Sequence, residues 1–151
     1  MTLLILGAGG REHALAWRLA QDPGATSIVC APGNPGMRNV ASIQPLAGDD
    51  PDAAAALATH LGADLTIVGP EVPLSRGVVD RFSSAGLAIL GPTQAAAALE
   101  TSKTFAKAFM ARHGVPTAAY HVSESAEDAV AFLTSGEFGF PVVLKADGLA
   151  A

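Results

Sequence analysis

Residues 3–13 read LLILGAGGREH, a short apolar run that leads directly into a loop with three glycines. The run Leu3–Leu6 has the length of a buried strand, and Arg11–Gln21 has the spacing of a helix. Glycines between a strand and a helix let the backbone approach a ligand, and the free N–H groups at the helix start favour an anion. Arg11 can hold a phosphate with two parallel hydrogen bonds. The stretch therefore predicts an anion-binding loop, with a tight turn that binds nothing as the alternative.

The alternation of short apolar runs with helical stretches continues to about residue 90. It predicts an α/β fold: a doubly wound, mainly parallel sheet of the Rossmann-like type, with helices on both faces. Ligands of such sheets bind at the carboxyl ends of the strands, beside the point where the winding reverses. The predicted strands are Leu3–Leu6, Ser27–Ala31, Leu65–Val68 and Leu87–Leu90, and the predicted helices are Arg11–Gln21, Asp52–Leu61 and Leu74–Ala85.

The last third of the chain has a different pattern. It predicts one long helix over Gln94–His113, with Phe105 and Phe109 on a single face and Gly114 as its stop. A strand at Ala118–Val122, a helix at Ala126–Thr134 capped by Ser125, and a strand at Pro141–Ala146 are predicted to follow. We expect a boundary near residues 92–102. It would separate a domain of residues 1–100 from the incomplete beginning of a second domain at 101–151.

Composition excludes several classes of function. Of the 151 residues, 50% are apolar and 15% are charged, which is typical of a globular protein rather than a disordered one. The net charge of −5 disfavours binding to nucleic acid or to a membrane surface. The single cysteine, Cys30, has no partner for an internal disulfide, so we expect a cytoplasmic protein. We expect Cys30 itself to be a core residue. The histidines His13, His60, His113 and His121 show no metal-ligand spacing.

Two further loops follow predicted strands. Residues 32–37 read PGNPGM, with two turn signals, and form a second wall of the site or a plain turn. Residues 69–74 read GPEVPL and hold Glu71 between two prolines, where its carboxylate can accept from an amine or a sugar hydroxyl. The alternative is a solvated glutamate near a helix start. Because all three loops follow parallel strands, we expect them to converge at one edge of the sheet.

Two lysines stand out in the last third of the chain. Lys103 lies early in the long predicted helix, where a solvated side chain is the simplest expectation. Lys145 ends a predicted buried strand, and lysine is rarely buried without a partner. A phosphate, Asp147 or Glu137 would each serve as that partner.

The first glycine loop lacks two features of a dinucleotide-binding fingerprint. The position of the third glycine is occupied by Glu12, and the second predicted strand ends in Ala31-Pro32-Gly33 instead of an acidic residue. These two departures disfavour a nicotinamide-dependent oxidoreductase.

Five stretches together resemble the amino-terminal part of the glycinamide ribonucleotide synthetases (phosphoribosylamine–glycine ligases), a purine-pathway family of the ATP-grasp superfamily. They occur in the family's order across essentially the whole chain. They are residues 4–14 (LILGAGGREHA), 32–36 (PGNPG), 68–74 (VGPEVPL), 102–103 (SK) and 141–151 (PVVLKADGLAA).

The resemblance implies an ATP-dependent ligation. ATP would phosphorylate the carboxylate of glycine, and the amine of phosphoribosylamine would attack the glycyl phosphate, giving glycinamide ribonucleotide, ADP and phosphate, with Mg²⁺ (or Mn²⁺) neutralising the transferring group. The implied substrate-binding residues are Gly9, Gly10, Arg11, Glu12, Asn34, Pro35, Gly36, Glu71 and Pro73, and the implied ATP-binding residues are Lys103, Lys145 and Asp147.

The family is much longer than this chain, and its glycine-rich ATP loop and metal ligands would follow residue 151. We therefore expect a partial ligase chain that is inactive by itself. Its catalytic residues are unknown, and we expect no metal ligand within it. Its expected partners are small molecules, namely phosphoribosylamine, glycine and ATP. The alternatives are a non-catalytic module of the same fold that binds a sugar phosphate or a partner, and the nicotinamide-dependent oxidoreductase.

Overall fold

A computed structural model of the chain describes residues 1–149, which fall into two units, Met1–Ala97 and the residues from Ala98 onward. The first unit is built on five parallel strands: β1 (Thr2–Gly7), β2 (Ser27–Pro32), β3 (Ser42–Ile43), β4 (Leu65–Val68) and β5 (Ile89–Leu90). They form one sheet in the order β3-β2-β1-β4-β5. The predicted α/β class with a parallel sheet is therefore confirmed.

Seven α-helices accompany the strands in residues 1–149. They are α1 (Gly10–Leu19), α2 (Pro51–Leu61), α3 (Glu71–Ser75), α4 (Val78–Ser84), α5 (Gln94–Thr101), α6 (Lys103–Arg112) and α7 (Ala126–Ser135). None of the helices in this part of the chain has the length and apolar character that crossing a membrane requires.

The core of the first unit has two layers, one on each face of the sheet. Ile5 of β1 packs with residues of α1 and β2 on one face. Leu4 lies on the opposite face, in a cluster with Phe82 of α4 and alanines of α2. Successive side chains of a strand point to opposite faces, so the buried stretch Leu3–Leu6 of β1 must be apolar at each position. Cys30 is buried in the layer beside Ile5, as predicted, and burial raises the pKa of its thiol.

Two predicted helices are each divided in the structure, so both single-helix predictions are wrong. The helix predicted over Leu74–Ala85 is broken into α3 and α4 at Gly77, whose φ of +81° lies in the left-handed region. The helix predicted over Gln94–His113 is broken into α5 and α6 at Ser102. There the backbone is extended, and the Ser102 hydroxyl oxygen accepts a hydrogen bond from the Phe105 N–H at 3.1 Å.

The edges of the sheet also differ from the prediction. A 3-10 helix at Pro35–Asn39 and the two-residue strand β3 were not predicted. At the other edge, only Ile89–Leu90 of the predicted strand Leu87–Leu90 pairs with β4. Short edge strands present few unpaired backbone groups.

The second unit contains helices but no strand within residues 98–149. As predicted, Ser125 caps α7, and the rings of Phe105 and Phe109 stack with centroids 6.5 Å apart. The strands predicted at Ala118–Val122 and Pro141–Ala146 are wrong, because a strand needs a hydrogen-bonded neighbour and these residues supply none. The last two residues of the stretch 141–151, Ala150 and Ala151, lie outside the described residues.

A buried hydroxyl in β4 gives a stability prediction. The side chain of Thr66 is 1% exposed, and its Oγ1 has no hydrogen-bond partner. Leaving such a group unsatisfied costs about 1–3 kcal/mol, so Thr66→Val should raise the free energy of unfolding by about that amount. Urea denaturation measures it as a higher midpoint at unchanged slope. Thr59→Val is the control, since Thr59 donates to the Ala55 carbonyl and its loss should give no gain. A Thr66→Val chain no more stable than the original would contradict the prediction.

Candidate functional site

The three loops that follow β1, β2 and β4 meet at one edge of the sheet. These strands are adjacent in the order β2-β1-β4, and the connections from β1 and β4 leave on opposite faces. The Asn34 side-chain amide donates to the Ala8 carbonyl at 2.8 Å and joins the second loop to the first. Arg11 reaches Glu71 and joins the first loop to the third. The edge is therefore the switch point at which doubly wound sheets bind their ligands.

The pair of Arg11 and Glu71 stands at the centre of this arrangement. One terminal nitrogen of the Arg11 guanidinium donates to Glu71 Oε1 at 2.9 Å, while Arg11 Nε donates to Glu12 Oε1 at 3.3 Å. The side chains of Arg11 and Glu71 are 59% and 39% exposed. A guanidinium has five N–H groups. Two are used here, and the remaining three have no acceptor among residues 1–149 and are available to an anion.

The start of α1 offers further donors beside Arg11. The backbone N–H groups of Gly10 and Arg11 have no acceptor within the described chain, and a side chain built at Gly10 would meet only open space. The N–H of Gly9 is already used, because Glu12 Oε2 accepts it at 2.7 Å. Of the three residues predicted to bind an anion, Gly10 and Arg11 therefore keep a backbone donor free in the described chain, whereas Gly9 does not.

Glu12 is enclosed instead of facing solvent. It is 3% exposed and lies against three glycines of the first and third loops. A Cβ atom on Gly69 would lie 1.9 Å from Glu12 Oε1, and one on Gly9 would lie 2.8 Å from Oε2. Gly7 is similarly close and also has a φ of +128°. These positions must be glycine because the Glu12 carboxylate fills the space.

The second loop is fixed by its own hydrogen bonds. Asn34 Oδ1 accepts the Gly36 N–H at 2.8 Å and caps the 3-10 helix that begins at Pro35. Together with its bond to Ala8, this engages both ends of the Asn34 side chain. Gly36 approaches the ring of His13 on α1, since a Cβ at Gly36 would lie 3.3 Å from a ring carbon. This loop therefore sets the position of the neighbouring loop through Asn34 and leaves Pro35 and Gly36 exposed.

Pro73 lies in α3, the short helix at the end of the third loop. It is buried and helps to line a cavity of about 30 Å³ at the carboxyl ends of β1, β2 and β4. A larger open depression of about 610 Å³ lies along β3, beside Arg38 and Ser42, and none of the predicted site residues lines it. The site is therefore defined by converging donors and acceptors at the loops rather than by a deep cavity.

The ion pair between Arg11 and Glu71 changes the pKa of both groups. The hydrogen bond from Arg11 lowers the pKa of Glu71, and the bonds to Glu71 and then Glu12 raise the pKa of Arg11. Both groups are exposed enough for solvent to screen the pair, which ties the loops together without adding much stability.

The Glu71 shift gives a prediction for pH. A carboxylate with a lowered pKa keeps its ion pair at every pH above the ordinary glutamate pKa, and it loses the ion pair only as the pH falls through the lowered pKa. Glu71 should therefore stay ionised at pH values below the ordinary glutamate pKa, with its hydrogen bond from Arg11 still formed. Carboxyl carbon NMR over pH 2–7 measures this, and Arg11→Ala should return the Glu71 titration to higher pH. An identical Glu71 titration in both chains would contradict the ion pair.

In the second unit, Lys103 and Asp147 come together at the start of α6, whereas Lys145 does not join them. The Asp147 carboxylate accepts hydrogen bonds from Thr104, from the Ser102 hydroxyl and from the Lys103 backbone N–H. The bonds from Thr104 and then from Ser102 lower the pKa of Asp147 strongly. Lys103 Nζ donates to the Gly148 carbonyl at 2.7 Å. Lys145 is exposed, so its predicted burial in a strand is wrong, and neither Asp147 nor Glu137 forms an ion pair with it.

Two features of the site were not predicted from the sequence. The first is the bond between Arg11 and Glu71, which are separated by 60 positions in the chain. The second is the burial of Glu12. A glutamate three residues after a helix cap was a usable signal, since that spacing lets the side chain accept the cap N–H.

The whole chain matches known proteins. Residues 1–100 match the family profile "Phosphoribosylglycinamide synthetase, N domain", and residues 101–151 match "Phosphoribosylglycinamide synthetase, ATP-grasp (A) domain". The chain is 52% identical over 151 residues to a phosphoribosylamine–glycine ligase of Caulobacter vibrioides and 53% identical over 153 residues to one of Xanthomonas campestris. These alignments cover all of this chain but only 35% of each relative, so the chain spans about a third of their length.

Solved structures agree with the sequence matches. A crystal structure of phosphoribosylamine–glycine ligase from Thermotoga maritima has a TM-score of 0.76 and 30% identity, over 99% of this chain and 34% of that one. The biotin carboxylase domain of a single-chain bacterial carboxylase has a TM-score of 0.70 at 22% identity, over 97% of this chain and 37% of that one, and shows the fold alone.

The fold and the arrangement of loops define the class first: an α/β domain with a parallel sheet of the Rossmann-like kind. The profile match adds that residues 101–151 belong to an ATP-grasp domain. Within that class, the profile matches are specific. The chain belongs to the phosphoribosylglycinamide synthetase family.

Proposed function

We propose that this chain supplies the ribonucleotide-binding surface of an enzyme that uses ATP to ligate glycine to 5-phosphoribosylamine. The observation that carries the proposal is the pair of Arg11 and Glu71 at the switch point, beside unused N–H groups of α1. A phosphoribosyl amine or amide combines an anion with hydroxyl and nitrogen donors, so it needs cationic and carboxylate groups side by side. Both relatives compared above carry the name of this ligase.

The chemistry of each residue indicates its role in the proposed site. Arg11 and the N–H groups of Gly10 and Arg11 bind the phosphate, because all are donors and the helix start favours negative charge. Glu71 accepts from the amine or from a sugar hydroxyl. Asn34, with Pro35 and Gly36, holds the loop after β2 beside the first loop. Pro73 keeps the helix that begins at Glu71 anchored in the core.

On the ATP side, we propose Lys103 and Lys145 as cations that bind the nucleotide phosphates. Lys103 Nζ has one acceptor, the Gly148 carbonyl, and retains N–H groups for a phosphate oxygen. Lys145 has no ion-pair partner among residues 1–149, which leaves its charge available. Asp147 contributes by holding the neighbouring segment at the start of α6.

Mg²⁺ would neutralise charge on the transferring phosphoryl group when bound. Residues 1–149 hold no group of three or more His, Cys, Asp and Glu side chains that would fit a metal ion. We propose that the residues of this chain bind and orient the substrates.

The affinity expected for the ribonucleotide is weak. Three charge-assisted hydrogen bonds at about 1.5–3 kcal/mol each give about 4.5–9 kcal/mol before costs. Association costs at least about 4 kcal/mol, which leaves at most about 5 kcal/mol. A dissociation constant of order 0.1 mM or weaker follows.

Calorimetric titration with glycinamide ribonucleotide tests the proposal, with NADH as the parallel ligand. Saturable binding of the ribonucleotide, together with no heat from NADH, is the expected result. Binding of NADH without the ribonucleotide would overturn the proposal in favour of an oxidoreductase. Binding of neither ligand up to several millimolar would contradict the claim that these loops suffice for a ribonucleotide site.

A further inference from the structure

The Glu12 carboxylate is the least expected group in the first unit, because a charge is placed where solvent hardly reaches it. Burying a charge is costly unless it is paired and hydrogen-bonded. Only two hydrogen bonds to the Glu12 carboxylate are present among the described residues, from the Gly9 N–H at 2.7 Å and from Arg11 Nε at 3.3 Å. The start of α1 adds a favourable dipole, since Glu12 lies in its first turn.

The surroundings of Glu12 are adapted to it on both sides. Gly69, in the loop after β4, would clash with Glu12 Oε1 if it carried a side chain, and Pro70 packs at the same place against Gly7. The carboxylate therefore fills the gap between the loop after β1 and the loop after β4. A helix cap alone would not require the loop after β4 to be built around Glu12.

We infer that Glu12 is a positioning residue: it holds the Arg11 guanidinium at the ribonucleotide site and does not touch the ligand. This inference rests on the proposed function and changes the role that family resemblance implies for Glu12, from binding to positioning. With Nε bonded to Glu12 and a terminal nitrogen bonded to Glu71, the planar Arg11 group is fixed at two points. Its three remaining N–H groups are then oriented before the phosphate arrives, which lowers the entropic cost of binding.

The variant that tests this is Glu12→Gln, which keeps the shape of the side chain. An amide has one acceptor oxygen, whereas the Gly9 N–H and Arg11 Nε each need one. The amide oxygen keeps the shorter bond, from the Gly9 N–H, so the bond from Arg11 Nε is lost. We expect the dissociation constant for glycinamide ribonucleotide to rise by about 10-fold or more. Asp64→Asn is the matched control. The Asp64 carboxylate accepts the Thr2 N–H at 2.7 Å at the opposite end of β1, and its loss should leave binding unchanged.

A double-mutant cycle separates positioning from a general effect on the fold. Lysine at position 11 keeps the positive charge but has no Nε, so Arg11→Lys removes the group on which Glu12 acts. In that background, Glu12→Gln should change the dissociation constant by less than about 2-fold, because residues acting as a unit are not additive. Equal effects of Glu12→Gln in both backgrounds would overturn the inference, as would unchanged affinity in the single variant.

Two further measurements test the positioning role of Glu12 separately from the proposed function. Gly69→Ala retains the Glu12 charge but displaces the carboxylate, and it should weaken ribonucleotide binding as Glu12→Gln does. Without any ligand, the NMR signal of the Arg11 Nε–H should be protected from exchange and should lose that protection in Glu12→Gln. Failure of the original chain to bind the ribonucleotide would count against the proposed function, whereas an Arg11 signal unaffected by Glu12→Gln would count against the positioning role.

Discussion

Replacing Arg11 by alanine is expected to weaken binding of glycinamide ribonucleotide by at least about 100-fold, because two charge-assisted hydrogen bonds to the phosphate are lost. The fold should not change. The Arg11 side chain is exposed, and its bond to Glu71 is a screened surface pair that contributes little to stability. Calorimetry measures the affinity, and urea denaturation of the same sample measures the stability.

Arg18→Ala is the control for Arg11→Ala. Arg18 lies in the last turn of the same helix, is exposed, and forms no ion pair within residues 1–149. Removing it changes the net charge of the chain by the same amount. Equal losses of affinity in the two variants would indicate a general electrostatic effect. Unchanged affinity in Arg11→Ala would remove Arg11 from the site.

Amide hydrogen exchange is expected to be slow in the central strands of the first unit and fast in two segments of the second unit. Amides of β1, β2 and β4 should exchange at least about 1,000-fold more slowly than those of residues 116–122 and 141–149. The strands form ladders covered on both faces. The backbone N–H groups of the latter segments, by contrast, donate to no backbone carbonyl in the described chain, and several of their side chains are exposed, Val143 by 79% and Leu144 by 70%.

The exchange experiment can be read by NMR or by mass spectrometry of peptides. The helix α7 serves as an internal reference, because it is hydrogen-bonded but has no fully buried residue. It should fall between the two classes. Uniform slow exchange from residue 3 to residue 149 would contradict the account and would mean that the second unit is as stable as the first.

The sequence was most informative where local pattern and tertiary structure agree. The apolar run before the glycine loop predicts β1 because a strand covered by helices on both faces has to be apolar at every position. From parallel strands it also follows that the three loops share an edge. The shared edge brings Asn34 close to Ala8 and Arg11 close to Glu71, although the individual hydrogen bonds were not predicted.

The sequence was less informative where one residue changes the course of the backbone. Gly77 and Ser102 each end one helix and begin another, but the apolar spacing on either side continues through them. Periodicity counts apolar positions and does not detect a left-handed glycine or a capping hydroxyl.

The strands predicted in the second unit failed for another reason. Residues 118–122 and 141–146 have the composition of strands, but composition does not supply a hydrogen-bonded neighbour. The burial predicted for Lys145 depended on one of these strands, so it was wrong for the same reason.

The burial of Glu12 could not be predicted from the local sequence either, because it depends on Gly69, which lies in a loop 57 positions away in the chain.

An NMR titration of the ¹⁵N-labelled chain with glycinamide ribonucleotide tests the central claim most directly. The claim is that the loops after β1 and β4 form a ribonucleotide site, and NMR locates binding residue by residue even at millimolar affinity. The largest shifts are expected at the amides of Gly10, Arg11 and Glu71, with little change along β3. Shifts centred on the depression beside Arg38 and Ser42, or no shifts at saturating concentration, would contradict the claim.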